Sequence, residues 1–245
     1  PEDIRLYGLT FATTLRSGAA VQGEVSYRPN MPVQLNGNDL LQSLLNAPGR
    51  SPLNVDGLRP ATDETPFDGY RRKEVSQAQV SVVQAFSQVM GAHQLLLMGE
   101  VGATYVGGLE GRFGPRYGRS GAYGNGELAD NDLCLAISKS LGDCNGEGFV
   151  TPFSWGYRLR ATWSYPNLIQ GMDIRPGLAW AHDVKGYSPA DSSAFNEGSR
   201  SISLGVDVSL ASQYWASLAY TDYLDGDYGT RGDRDYVAFS VGANF

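Results

Sequence analysis

Between Phe153 and Tyr165 apolar and polar side chains alternate without a break. Trp155, Tyr157, Leu159, Ala161, Trp163 and Tyr165 fall on one face, and Ser154, Gly156, Arg158, Arg160, Thr162 and Ser164 on the other. A period of two is the signature of a β-strand. Two arginines mid-strand on one face, with aromatics near both ends of the other, fit a strand whose apolar side meets lipid and whose aromatics mark the two interfaces. Arg200 to Leu210 repeats the pattern with Ile202, Leu204, Val206 and Val208 against Ser203, Gly205 and Asp207. So do Gln94 to Tyr105, Met172 to Val184 and the stretch from Val21 to Arg28; Ile4–Leu15, Glu74–Met90 and Tyr214–Tyr223 are less regular.

The last such segment, Tyr236 to Phe245, puts Val237, Phe239, Val241, Ala243 and Phe245 on one side. Alternation ending in an aromatic resembles the signal by which barrel assembly machinery recognises outer-membrane proteins, with Phe239, Val241 and Phe245 carrying it. Nothing in the chain reads as a run of about 18 apolar residues, so no membrane-spanning helix is encoded. Lipid satisfies no backbone polar group, which leaves a closed barrel as the β solution for a membrane. Charged residues are 18% of the chain, below the roughly 25% of an ordinary soluble domain.

The connections alternate in length. Short ones fall at 16–18, 91–93, 166–171 and 211–213; long ones fall at about 29–71, 106–152, 185–198 and 224–234. Bacterial barrels have short periplasmic turns and long extracellular loops. The expected fold is therefore all-β, a transmembrane antiparallel β-barrel segment of about nine strands with both faces set by alternation. An odd set that starts at the long-loop side is expected to be the C-terminal part of a larger, even-stranded barrel. Its expected place is the outer membrane of a Gram-negative bacterium, in contact with outer-membrane lipid.

Alternation also nominates the residues that would face a lumen: Glu24, Arg28, Glu100, Arg158, Arg160, Asp173, Arg175 and Asp207. Glu100 is expected nearly opposite the two arginines of the next strand. Such charges either set solute preference or form a structural network that fills the lumen. In the first long loop, Asn38 can cap a helix running to Ala47, whose Leu40, Leu41, Leu44 and Leu45 form one apolar stripe. That helix either gates the barrel mouth or packs on neighbouring loops. Cys134 and Cys144 lie in a polar, Gly-rich loop. Their spacing suits a local disulfide in an oxidising compartment, the alternatives being free thiols or half a metal site.

Asp130, Asp132, Asp143, Asp225, Asp227, Asp233 and Asp235 put acid into the loops. Loop Ca²⁺ or lipopolysaccharide is the only cofactor they suggest, though none matches a defined calcium loop and solvated charge is the ordinary reading. The net charge of −7 with no basic cluster argues against nucleic acid. There are two histidines. His93 falls in a turn; His182 lies beside Trp180, and a lipid hydrolase would need a serine from the following loop, such as Ser188, Ser192 or Ser193. No enzyme is expected.

The opening Pro1-Glu2-Asp3-Ile4-Arg5-Leu6-Tyr7-Gly8, the Asn38-Asp39-Leu40-Leu41 segment, the Cys134/Cys144 loop and the terminal strand resemble the C-terminal half of a large family of proteobacterial outer-membrane proteins, known as domain of unknown function 1302. The resemblance implies a longer protein, comparable with fatty-acid-type channels, and partners in a periplasmic lipid-binding-like protein and an inner-membrane exporter. It implies no catalytic residue. The expected function is a porin-like channel or transporter component for small hydrophobic or amphipathic solutes; the alternatives are a plugged structural or surface-interaction barrel and, last, an outer-membrane lipid hydrolase.

Overall fold

The computed structural model describes residues 2–45, 49–54, 68–136, 138, 140–189, 194–211 and 213–244. Nine strands form one sheet: β1 (Tyr7–Thr14), β2 (Ala20–Gln34), β3 (Tyr70–Ser87), β4 (Gln94–Gly107), β5 (Phe153–Ile169), β6 (Met172–Lys185), β7 (Arg200–Leu210), β8 (Tyr214–Leu224) and β9 (Tyr236–Ala243). They lie side by side in chain order, each antiparallel to the next. β1 and β9 are the two edges, so the sheet is open among the described residues.

Up-and-down order puts all four long connections at one end and all four short turns at the other. The turn end is built from positive-φ residues, as tight hairpins demand. The β5–β6 turn is the pair Gln170 (φ 36°) and Gly171 (φ 81°). This turn is shorter than the 166–171 connection expected from sequence. β5 instead continues through Pro166, and the pairing with β6 is irregular between Tyr165 and Ile169, because proline brings no N–H to a ladder and is tolerated at such bulges. At the loop end the strands also outrun expectation. Met31–Gln34 pair with Tyr70–Lys73 beyond an irregularity between Arg28 and Met31, so the first loop spans 35–69 and not 29–71.

Register makes the two faces explicit. Along one row of the apolar face Leu97, Ala161, Leu178, Leu204, Tyr220 and Val237 are successive cross-strand neighbours. On this face Leu204 is 55% exposed and Phe239 69%, which is the reverse of a soluble sheet. Aromatics sit at both ends of it: Tyr7, Tyr27, Tyr105 and Phe153 toward the loops, Phe86, Trp163 and Tyr214 toward the turns. The other face carries Ser, Thr, Gly, Gln and the mid-strand charges; near the loop end Asp222, opposite Ile202, falls on the apolar side.

The conventional core is not in the sheet but at its loop end. Val33 and Val75, Val106, and the loop residues Leu35, Leu53, Tyr117 and Val150 form one buried cluster. A second, smaller one joins Leu128 to the Cys134–Cys144 disulfide. These clusters make the loops a folded cap.

Candidate functional site

The cap is held by polar contacts among all four long loops. Helix α1 (Gly37–Leu44) is capped by Asn36, whose side chain accepts from the Asp39 N–H at 3.1 Å. Asn38, the expected cap, instead donates to the Gly124 carbonyl at 2.8 Å. The helix buries Asp39 and Ser43 and leaves Leu41, Leu44 and Leu45 at 52%, 63% and 65% exposure; only Leu40 packs on the cap core. The expected gate stripe thus faces outward, because the helix is anchored through its polar side; Ala47 lies outside the described residues. The anchor is a bidentate pair, Arg116 Nη2 to Asp39 Oδ1 at 2.6 Å and Nε to Oδ2 at 3.0 Å, with the guanidinium 4.5 Å from the Phe149 ring centre. Burial pushes the Asp39 carboxyl up, and the Arg116 contacts oppose that push.

Arg119 ties the second loop to the fourth. It stacks between Phe149 (5.0 Å) and Tyr228 (4.6 Å) and donates to the carbonyls of Tyr123, Asp143, Asn145 and Glu147. Glu110 gathers Lys73 (2.7 Å), Arg71 (2.6 Å) and the Tyr117 hydroxyl (2.8 Å). Burial alone would raise its carboxyl, but these donors outweigh that and hold it below the ordinary 4.5. Burial, with Glu197 nearby, pushes the Tyr187 hydroxyl up to about 12.

Beneath the cap, the polar face of the sheet curls around two neighbouring cavities. The first, about 370 Å³, lies at the loop end and is lined by Arg119, Asp183, Tyr187, Phe195, Arg200 and Tyr228 among others. The second, about 350 Å³, is lined from Gln22 on β2 to Ser203 on β7. In a flat sheet those two strands would stand about 24 Å apart, so a shared cavity requires strong curvature. Arg158, Ala181 and Ser201 line both cavities.

The third long loop closes over this face. Phe195 lies on a glycine window: a Cβ on Gly102 would meet its ring at 3.2 Å and one on Gly156 at 3.0 Å. Ser188 braces it, its Oγ accepting from the Phe195 N–H at 2.9 Å. Asp183 then links loop to wall, accepting from Arg158 Nη2 at 2.6 Å and from the Asn196 N–H at 3.0 Å, while Arg158 also donates to the Ala194 carbonyl.

Glu100 stands directly opposite Arg158, with Arg160 two pairs along, opposite Met98 on the same face. Yet Arg158 is ion-paired to Asp183, and Glu100 accepts from Gln79 at 3.1 Å. Asp207 faces Arg175 in register. Glu24 lies opposite Gln79, and Arg28 donates to Gln77 at 2.6 Å. Asp173 turns to the hairpin, accepting from the Asn167 N–H at 2.9 Å. Asp183 shares the parity of Asp173 and Arg175, so alternation already held that signal; Phe195 sits in a loop with no period to find it by.

The acidic loops organise themselves. Asp225 accepts from the N–H groups of Arg231 and Gly232, and Asp235 from that of Tyr223 at 2.8 Å. Among the described residues no group of three or more His, Cys, Asp or Glu could hold a metal ion. His182 packs edge-on against Tyr157 and Trp180 on the apolar face, while Ser188 lines the loop-end cavity of the other face. Ser192, Ser193 and Phe245 lie outside the described residues.

A family model described as a protein of unknown function, DUF1302, matches the chain from residue 1 to residue 245. The chain belongs to the DUF1302 family. No curated protein and no solved structure matches this DUF1302 chain.

Proposed function

We propose that the sheet is the wall of an outer-membrane passage for small hydrophobic or amphipathic solutes. The observation that carries this reading is the segregation of the two faces. One face is apolar, exposed and edged with aromatics, the arrangement lipid demands. The other is polar, curled and cavity-bearing, with charges in cross-strand register. All long loops gather at one end, which on this reading is the extracellular side. No catalytic role is proposed.

The test is single-channel recording of the purified full chain in planar bilayers, together with fractionation of the cells that make it. Discrete conductance steps and recovery in the outer-membrane fraction are the expected results. Recovery with the soluble fraction would overturn the placement, and silent membranes would overturn the passage.

A plugged, structural barrel is the second reading. It is favoured by one observation, the third loop seated over the polar face through Phe195. The family resemblance adds an export assembly with a periplasmic lipid-binding-like protein and an inner-membrane exporter, which co-purification of the three would test.

A further inference from the structure

The polar face is not uniformly polar. Where Arg160 projects, its cross-strand neighbours are Met98 on β4 and Ala179 on β6, and Met98 in turn faces Val83 on β3. Together with Gln22 and Ser203 these residues line the 350 Å³ cavity, a volume at the lower end of the roughly 300–1,000 Å³ typical of small-molecule sites. Arg160 makes no hydrogen bond or ion pair among the described residues. Its neighbour Arg158, by contrast, is consumed by Asp183. The charges lining the cavity are Arg158, Arg160 and Glu100; with Arg158 neutralised by Asp183, Arg160 is the cation left to meet a ligand. Glu100 lies level with Arg158 and is held by Gln79, two pairs removed from Arg160.

We propose that this cavity binds an amphipathic organic carboxylate, with the carboxylate on the Arg160 guanidinium and the apolar body on Met98, Val83 and Ala179. A planar guanidinium offers two parallel N–H donors that match the two oxygens of a carboxylate. The flexible thioether of Met98 accommodates apolar bodies of varied shape. The assignment rests on the passage reading and names the class of solute that passage would favour.

The experiment is equilibrium binding of radiolabelled octanoate to the full chain in lipid nanodiscs, with empty nanodiscs subtracted. Octanol, octyltrimethylammonium and acetate serve as comparison ligands. Saturable octanoate binding is expected, and acetate, lacking the apolar body, should not compete for it. Arg160→Gln should weaken octanoate binding about tenfold or more, a factor equivalent to about 1.4 kcal/mol, and leave octanol unchanged. Met98→Glu should act likewise by supplying Arg160 with a carboxylate from the opposite strand. Arg160→Glu should turn the preference toward octyltrimethylammonium, a gain that an unfolded variant cannot produce. Absence of saturable octanoate binding, or an Arg160→Gln variant that binds octanoate as the parent does or loses octanol equally, would overturn the assignment. The readout requires no current. Binding without conductance steps would therefore fault the passage alone, and steps without binding would fault this inference alone.

Discussion

At the scale of single residues, two ionic contacts hold the loop cap, one buried around Asp39 and one half-buried around Glu110. Asp39 and Arg116 are 1% and 7% exposed and satisfy each other through two hydrogen bonds. Asp39→Ala strands a guanidinium in the interior, which costs about 3–5 kcal/mol when a buried pair loses one member. A drop of that size in the unfolding free energy of the cap is expected by denaturant titration. Replacing both partners with apolar residues of similar volume should cost much less, because no charge is left unpaired. Glu110 adds a pH dependence of known sign. Its folded value lies below the ordinary 4.5, so its stabilisation is present above 4.5 and is lost as pH falls through the lower folded value. Acid titration followed by near-ultraviolet circular dichroism of Tyr117 and its neighbours should show the cap loosening below that pH. The Glu110→Gln variant should show a weaker cap at neutral pH and a flatter profile.

At the scale of elements, the hairpins and the long loops obey different rules. Hairpins are set locally, by alternation and by positive-φ turn residues, and their strands were placed by sequence to within a few residues. The loops are set by contacts far apart in the chain, such as Asn36 to Gly118 and Asn125 to Arg50. The Cys134–Cys144 bridge is the local exception. Closing so short a loop removes denatured-state entropy worth about 3 kcal/mol. Cys134→Ser with Cys144→Ser should therefore raise hydrogen exchange across 128–145 while strand amides stay protected. The third long loop makes a different prediction. Phe195 is the group that bears on the glycine window, so on the proposed passage reading Phe195→Ala should open the space between the two cavities and increase single-channel conductance. Unchanged conductance would mean that the loop does not obstruct the path. Gly156→Val offers a contrary test, because a Cβ there would meet the His182 carbonyl at 2.6 Å as well as the Phe195 ring; local pairing of β5 with β6 should weaken.

At the scale of the whole molecule, what matters is which solvent each face meets. Leu204 sits mid-strand on the apolar face between Leu178 and Tyr220. If that face lies in lipid, Leu204→Arg should cost about 2–4 kcal/mol of folding free energy in bilayers, the penalty for a cation near the midplane. Ser240→Arg, on the polar face opposite Ser217, should be nearly neutral. Equal effects of the two substitutions in vesicle-folding titrations would remove the basis for a membrane wall.

The sequence by itself determined the strands, their faces and their order, because β alternation has a period of two and a one-residue slip would expose every wrong side chain at once. It put Glu100 and the two arginines on one face, nearly opposite each other, but the exact register across the long loop between β4 and β5, Glu100 against Arg158, came from the tertiary structure, because a slip of two residues keeps both faces. The tertiary structure alone decided what the loops do. The Leu40–Leu45 stripe looked like a gate, yet the helix docks through Asp39, because a bidentate arginine 77 residues away holds its polar side. Arg158 and Arg160 read alike in sequence. One is taken by Asp183 and the other left open, and the difference arises from a bulge beside Gly156 and a loop folded back onto the sheet. Asp183 stands one same-face position from Arg158 on the paired strand, but the bulge and the returning loop that fix the contact are recorded in no local pattern.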